Sequence, residues 1–285
     1  MLTECTKSDF EKYADLAYGL AMDPSRSGYP TYRDGIKTRA MFEERILKAF
    51  GRDDEKVLLF ADGGEVRGLI HYFSIPEDRY LQTNAFCVNG AADQALSEFI
   101  SYVRERFKGY DLYMGFPAEN RDAAEYLSGH GYECIEDDYN NTAFPDGPVQ
   151  MPEPAGMIKI GRDNYGGFRS LHDQIDGDMY WNSDRIYGDL DGWTVLVKEK
   201  DGKPEGAVYF RNADDGWYEI FGIDADGGEP HPDLFRDLLR SALSDIRRRG
   251  GRFVTFFCEK EYEEYAQECG FVCVGNYLCF KVRLD

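Results

Sequence analysis

The decapeptide EYLSGHGYEC at 125–134 returns as EYAQECGFVC at 264–273, keeping Glu, Tyr, Gly and Cys at a constant offset of 139 residues. An apolar stripe obeys the same offset: Leu96, Phe99, Ile100, Val103 and Phe107 map onto Phe235, Leu238, Leu239, Ala242 and Ile246. Chance periodicity explains one matching helix, but hardly a helix and a decapeptide in one register, so the chain reads as two copies of one unit. The strands LYMGF and FVTFF need an offset of 141, and Gly68 and Gly206 need 138, differences that small loop changes supply. At 285 residues, and about 100 to 200 residues per domain, two domains are also expected from length. Between the copies, FPDGPVQMPEP carries Pro145, Pro148, Pro152 and Pro154, too many prolines for a helix or a central strand. The predicted domains are therefore 1–144 and 156–285, with a linker at 145–155.

Periodicity gives the order of elements within a copy. Leu2 to Cys5 predicts a short strand, and Ser8-Asp9-Phe10-Glu11 a capping box that opens a helix burying Phe10, Tyr13, Ala14 and Ala17. A second helix ends at Gly51. VLLFADGGEVRGLIHYF reads as two strands around a Gly-Gly hairpin, followed by a strand at Tyr80 to Val88. The Leu96 stripe has the i, i+3, i+4, i+7 spacing of a helix laid on a sheet. A strand at Asp111 to Phe116, a helix near Glu119 and a strand from Tyr132 complete the copy. The second copy repeats the order, with a strand at Met157 to Ile160, a helix carrying Phe168, Leu171 and Ile175, the hairpin TVLVKEKDGKPEGAVYF and the strand GWYEIFGI. The fold class is α+β, each copy a mixed, mostly antiparallel sheet flanked by helices.

Charge narrows the partners. With 33 Lys and Arg against 53 Asp and Glu, the net charge of −20 leaves no broad cationic face for a nucleic-acid backbone. An acidic field favours small cationic partners such as amines. The longest apolar runs, Val57 to Ala61 and Phe253 to Phe257, fall far short of the roughly 20 residues that span a bilayer. The first twenty residues mix charges into every turn, unlike a secretory signal. Seven cysteines without a C-x-x-C pair fit reduced thiols, so a cytoplasmic protein with neither nucleic-acid nor membrane partner is expected. Cys258, Cys269, Cys273 and Cys279 lack a zinc spacing and read as core thiols, with no metal expected. No G-x-S-x-G, P-loop or H-E-x-x-H pattern occurs, which removes the corresponding hydrolase, nucleotidase and metalloprotease readings. Arg247, Arg248 and Arg249 form a basic run at a helix end, where they oppose the helix dipole.

AENRDAAEYLSGHGY resembles the fourth-helix pattern of the GNAT N-acyltransferase superfamily, with Asn120, Ala123, Tyr126, Gly131 and Tyr132 at its positions and Tyr265, Gly270 and Phe271 in the second copy. The element order resembles that family too, and two copies in one chain resemble its tandem members. The resemblance implies two GNAT-like domains that open a cleft between their fourth and fifth strands for acetyl-CoA or another acyl-CoA as cosubstrate. Strand amides there would hold the thioester carbonyl, here at Phe221, Gly222 and Ile223, and a helix N-terminus would hold the pyrophosphate. Both copies depart from the family's Gln/Arg-x-x-Gly-x-Gly/Ala loop. The first has VNGAADQAL, with Gly90 alone, so it is expected to be degenerate. The second has IDADGGEPHPDLF, where Gly227 and Gly228 admit a phosphate but Asp224, Asp226, Glu229 and Asp233 repel one. A plain acidic turn is the competing reading of that Gly-Gly.

The resemblance implies a base that deprotonates an amine and an acid that protonates the leaving thiolate. Glu219, four residues before Ile223, sits where the family often has a fourth-strand carboxylate, and Asn84 is read as its counterpart in the first copy. The family's acid tyrosine position holds Leu127 and Ala266; Tyr265, one residue away, is the replacement candidate. The aromatic and acidic segment DGDMYWNSDRIYGDL would suit a cationic acceptor or serve packing alone. The expected function is N-acyl transfer to a small-molecule or peptide amine, with the active site in the second copy. The alternative is a non-catalytic scaffold for ligand binding or protein interaction. Aminoacyl transfer from a charged tRNA is disfavoured by the net charge.

Overall fold

The computed structural model describes residues 1–28, 32, 37–145, 154–175, 179–214 and 216–285. In chain order its elements are β1 (Leu2–Glu4), α1 (Lys7–Ala21), α2 (Arg39–Ala49), β2 (Glu55–Asp62), β3 (Glu65–Ile75), β4 (Tyr80–Val88), α3 (Ala92–Arg106), β5 (Tyr110–Pro117), α4 (Arg121–Gly129) and β6 (Glu133–Ala143). The order then repeats through β7 (Met157–Lys159), α5 (Gly166–His172), α6 (Ser183–Gly188), β8 (Trp193–Lys200), β9 (Lys203–Asp214), β10 (Trp217–Ala225), α7 (Pro232–Arg248), β11 (Phe253–Cys258), α8 (Glu263–Glu268) and β12 (Val272–Leu284). Most of the expected linker, residues 146–153, lies outside the described residues.

Two compact units emerge. Unit 1 is Met1–Asp138 with Gly275–Asp285, and unit 2 is Tyr139–Val274. The closing strands are therefore exchanged between the copies. Unit 1 has strand order β1-β2-β3-β4-β5-β12, and unit 2 has β7-β8-β9-β10-β11-β6. In unit 1, Leu284 of β12 faces Tyr110 of β5 and Tyr277 faces Pro117. In unit 2, Ala143 of β6 faces Val254 of β11 and Tyr139 faces Cys258. Each sheet is antiparallel except at one neighbouring pair, β4–β5 and β10–β11, which runs parallel.

Local sequence accounts for the elements. Thr6, rather than Ser8, caps α1: its hydroxyl accepts from the Asp9 N–H while the Asp9 carboxylate accepts from the Thr6 N–H, a reciprocal box two residues earlier than the Ser8 motif suggests. The β2–β3 turn places Gly63 and Gly64 at φ of +59° and +82°, the left-handed pair of a tight hairpin. The α7 stripe is buried as its spacing demands, with Phe235, Leu238, Leu239, Ala242 and Ile246 at most 2% exposed. Ile175 falls beyond the end of α5 and is exposed. Each sheet carries apolar side chains on both faces. In unit 1, Phe86 and Val88 join the core under α3 and α4, while Ala85 and Cys87 join the core under α1 and α2. In unit 2, Ile220 packs towards α7 and α8, and Tyr209 towards α5 and α6.

Candidate active site

The parallel strand pairs part. In unit 1, β4 and β5 are in register only from Tyr80 opposite Asp111 to Gln82 opposite Tyr113. In unit 2, β10 and β11 are in register from Trp217 opposite Phe253 to Ile220 opposite Phe256. Beyond those points each pair leaves a gap at its C-terminal ends, where ligands of open α/β sheets enter. A bulge marks where each gap begins. Tyr72 faces Thr83 and His71 faces Ala85, so Asn84 is the extra residue. Phe210 faces Ile220 and Tyr209 faces Gly222, so Phe221 is the extra residue. Register thus corrects the sequence alignment: Asn84 corresponds to Phe221, and the counterpart of Glu219 is Gln82.

The two gaps differ in what fills them. In unit 1 the segment after α1 enters the gap. The Val88 N–H donates to the Arg26 carbonyl at 3.0 Å, and the Asn120 side-chain amide donates to the Ser27 carbonyl at 3.0 Å. A Cβ on Gly28 would lie 3.0 Å from the Phe86 nitrogen on β4 and 3.3 Å from the Gly115 oxygen on β5, so only glycine fits there without displacement. Ala85 to Val88 are accordingly at most 4% exposed. A cavity of about 400 Å³ remains outside this plug, lined by Ser25, Arg26, Val88, Asn89, Gly90 and Asn120. Gly90 and Ala91 are both left-handed, and no side chain caps α3.

In unit 2 Gly222 and Ile223, at the level of Ala85 and Phe86, are half-buried, while Asp224 and Ala225, at the level of Cys87 and Val88, are buried. The counterpart of Val88 is Ala225; among the described residues its main-chain partner outside the strands is the Gly228 N–H, whereas Arg26 holds Val88 in unit 1. Gly222 is required by its neighbour, since a Cβ there would collide with the Tyr209 phenol. Asp224 accepts from that phenol and lies 2.8 Å from His172 Nδ1. His172 Nε2 is 2.9 Å from the Trp181 carbonyl, which can only accept, so Nε2 carries the hydrogen. Burial pushes the Asp224 carboxyl above its ordinary range, against the opposing hydrogen bonds from His172 and Tyr209. This buried network, with His172, Tyr209 and Asp224 all at most 2% exposed, fastens the Trp181 segment to β10.

The predicted residues fall as follows. Glu219 is half-buried on β10, opposite Arg211 of β9 and Thr255 of β11. Its strand neighbours Tyr218 and Ile220 pack towards α7, so Glu219 takes the opposite face. Tyr265 packs with the α7 side of the sheet, its ring near Phe235 and Tyr262 and under the Arg236 guanidinium at 4.7 Å. Glu219 and Tyr265 therefore occupy opposite faces. Gly227 and Gly228 form a left-handed turn with φ of +83° and +108°, and the Gly227 N–H donates to the Gln174 side chain at 3.2 Å. The adjoining α7 terminus offers few donors: Pro232 has no N–H, and the Asp233 N–H is taken by His231. The aromatic segment supplies Trp181, and the cation over its ring is the protein's own Arg211, at 5.3 Å. Arg211 and the plug at Arg26–Gly28 escape sequence reasoning, because neither belongs to a motif; a lone Arg among strand apolars was the one visible signal.

Among the described residues no group of three or more His, Cys, Asp or Glu side chains is placed to hold a metal, and no helix is long and apolar enough to cross a membrane. Cys258, Cys269 and Cys279 are buried thiols outside any disulfide, and Cys273 is half-buried.

No protein-family model and no curated protein matches this sequence. Solved structures do. A GCN5-related N-acetyltransferase from Sphaerobacter thermophilus aligns with 100% of this chain and 95% of its own at a TM-score of 0.68 and 15% identity. The tandem GNAT protein from the clavulanic acid biosynthesis pathway aligns over 100% and 98% at a TM-score of 0.55 and 11% identity. A GCN5-related glucosamine N-acetyltransferase region of a fungal multi-domain GH3 β-N-acetylglucosaminidase aligns with 99% of this chain and 38% of its own at a TM-score of 0.62 and 11% identity. The parted parallel strands, the bulges at Asn84 and Phe221 and these likenesses agree: the chain has the GNAT fold in two tandem copies.

Proposed function

We propose that this chain is a cytoplasmic N-acyltransferase that uses acetyl-CoA, with its active site in unit 2. One contrast carries the reading: Arg26–Gly28 fill the strand gap of unit 1, where Ala85 and Phe86 are buried, while their counterparts Gly222 and Ile223 stay half-buried in unit 2. In this reading the amides of Phe221 to Ile223 hold the thioester carbonyl, and Gly227 and Gly228 lie towards the pyrophosphate. Glu219 takes a proton from the acceptor ammonium, directly or through one water. The freed amine attacks the thioester carbonyl, and its nitrogen releases its surplus proton to solvent. The carbon–sulfur bond breaks, and the departing thiolate takes a proton for which Tyr265, on the α7 side of the sheet, is the candidate donor. The acceptor is a small-molecule or peptide amine, which the net charge of −20 attracts as a cation.

A scaffold without catalysis is the second reading, favoured by the Gly227 N–H bonded to Gln174 and by the His231 cap and Pro232 at α7. Thermal unfolding with acetyl-CoA separates the two. A ligand at 100 times its dissociation constant stabilises the native state by about 2.7 kcal/mol. The expected result is a rise in Tm with millimolar acetyl-CoA that survives Gly28→Val in unit 1. A Tm unmoved by acetyl-CoA or coenzyme A rejects the enzyme reading in favour of the scaffold.

A further inference from the structure

One row of side chains crosses the α5–α6 face of unit 2. Trp193 of β8 faces Arg211 of β9, Arg211 faces Glu219 of β10, and Glu219 faces Thr255 of β11. Their strand neighbours Phe210, Ile220 and Val254 all belong to the core under α7, so alternation sends the row to the other face. Arg211 is held in place within it. Its guanidinium sits 5.3 Å from the Trp181 ring and 5.2 Å from the Trp193 ring, and Trp181 is itself tied through His172 to Asp224.

Fixing an arginine this way costs little entropy later, because its planar fork is already oriented. The side chain keeps 29% of its surface accessible, and one guanidinium nitrogen meets the Asp189 carboxylate at 3.5 Å. Asp189 is 53% exposed, so that pair is a weak surface contact and a ligand carboxylate can replace it. A guanidinium held on two indoles beside the bulge, with only a long contact to Asp189, is placed to take a ligand anion.

The spacing specifies that partner further. Directly opposed residues on neighbouring strands hold their Cβ atoms about 4.5 to 5.5 Å apart. Arg211 and Glu219 thus present a cation and a carboxylate as immediate neighbours, complementary to a carboxylate and an ammonium carried on one carbon. We infer that the acceptor of unit 2 is an α-amino acid, whose carboxylate binds Arg211 while its amino group meets Glu219. The zwitterion is neutral overall, so the acidic field does not repel it. This inference rests on the reading of unit 2 as the acyltransferase site and deepens it.

The test uses the full chain with acetyl-CoA and two matched pairs, L-phenylalanine with phenethylamine and L-lysine with cadaverine. Product is followed by mass and binding by calorimetry without acetyl-CoA. A charge-assisted hydrogen bond corresponds to about a tenfold to hundredfold preference. The carboxylated member of at least one pair is expected to show that preference in kcat/KM. Arg211→Met should erase it chiefly through KM, and Arg211→Lys, which keeps the charge, should restore part. Decarboxylated amines used equally well, a preference unchanged in Arg211→Met, or no uptake of either amino acid by a protein whose Tm acetyl-CoA raises would each overturn the inference. Arg211-dependent binding of an amino acid by a protein that acetyl-CoA leaves unmoved would uphold the carboxylate site while the enzyme reading fails.

Discussion

Val88 and Arg26 stand 62 residues apart in the chain and meet as strand partners do, the Val88 N–H donating to the Arg26 carbonyl at 3.0 Å. Arg26 thereby occupies the edge of β4 that faces the strand gap.

The tightness of that insertion sets the first prediction. Gly28→Val forces apart Phe86 and Gly115, an overpacking that costs about 1 to 3 kcal/mol. Ser27→Ala should cost nothing and can stabilise, because the buried Ser27 hydroxyl has no hydrogen-bond partner among the described residues. Urea unfolding midpoints of the two variants check the contrast.

At the bulge of β10, Gly222→Ala drives a methyl group into the Tyr209 phenol. A loss of about 1 to 3 kcal/mol is expected, with a smaller acetyl-CoA-induced rise in Tm, since the strand must shift where the thioester is proposed to bind. An alanine variant with wild-type stability would show that the phenol moves aside freely.

Glu219→Gln keeps the shape of the side chain and removes the proposed base. Turnover should fall by about 10²- to 10⁴-fold while the acetyl-CoA-induced rise in Tm stays. Rates measured at saturating acetyl-CoA decide it; undiminished turnover takes Glu219 out of the mechanism.

Removing Asp224 orphans two buried partners. Asp224→Ala leaves the His172 ring and the Tyr209 hydroxyl without their shared acceptor, and at about 1 to 3 kcal/mol for each unsatisfied group the loss should reach at least about 2 kcal/mol. Asp224→Asn, whose amide oxygen can still accept from one of the two, should lose less. Chemical denaturation of the pair measures the difference.

In unit 1 the predicted effect is one of pH. His71 is buried and 2.6 Å from Glu55, and burial depresses its pKa below the ordinary 6.5 despite that hydrogen bond. As pH falls through 6.5 the unfolded chain takes up the proton first, so stability declines until the folded-state pKa is reached. One such group changes stability by at most about 1.4 kcal/mol per pH unit. His71→Gln should flatten the fall between pH 7.5 and 5 by up to that amount, read from urea midpoints across the range.

Much of the architecture was written in periodic positions. The 139-residue offset, the Tyr80–Val88 strand and the α7 stripe could be read because apolar spacing and glycine turns act locally. What escaped depends on contacts between distant segments. The alignment of Glu219 with Asn84 missed by two residues because a bulge adds a residue without changing composition, and only pairing reveals that Gln82 is the counterpart. Thr6 was passed over for Ser8 because both begin a hydroxyl-to-acid pattern, and the strand that precedes the helix decides which residue turns. The plug at Gly28 carries no motif; its glycine is explained only by Phe86 and Gly115, far along the chain. Arg211 belongs to no sequence motif; its setting depends on Trp181 and Trp193, which reach it from 30 and 18 residues away in the chain.

The exchanged closing strands impose an order on biosynthesis. While the ribosome is still making the second copy, β5 of unit 1 waits with its Tyr110–Pro117 edge bare, because the residues that cover it, Tyr277 to Leu284, follow all the other strands of that copy. A nascent chain with an open apolar strand edge is prone to mispairing and is a natural client for chaperones. Cutting the gene between its two copies would therefore yield two incomplete sheets in place of two independent proteins.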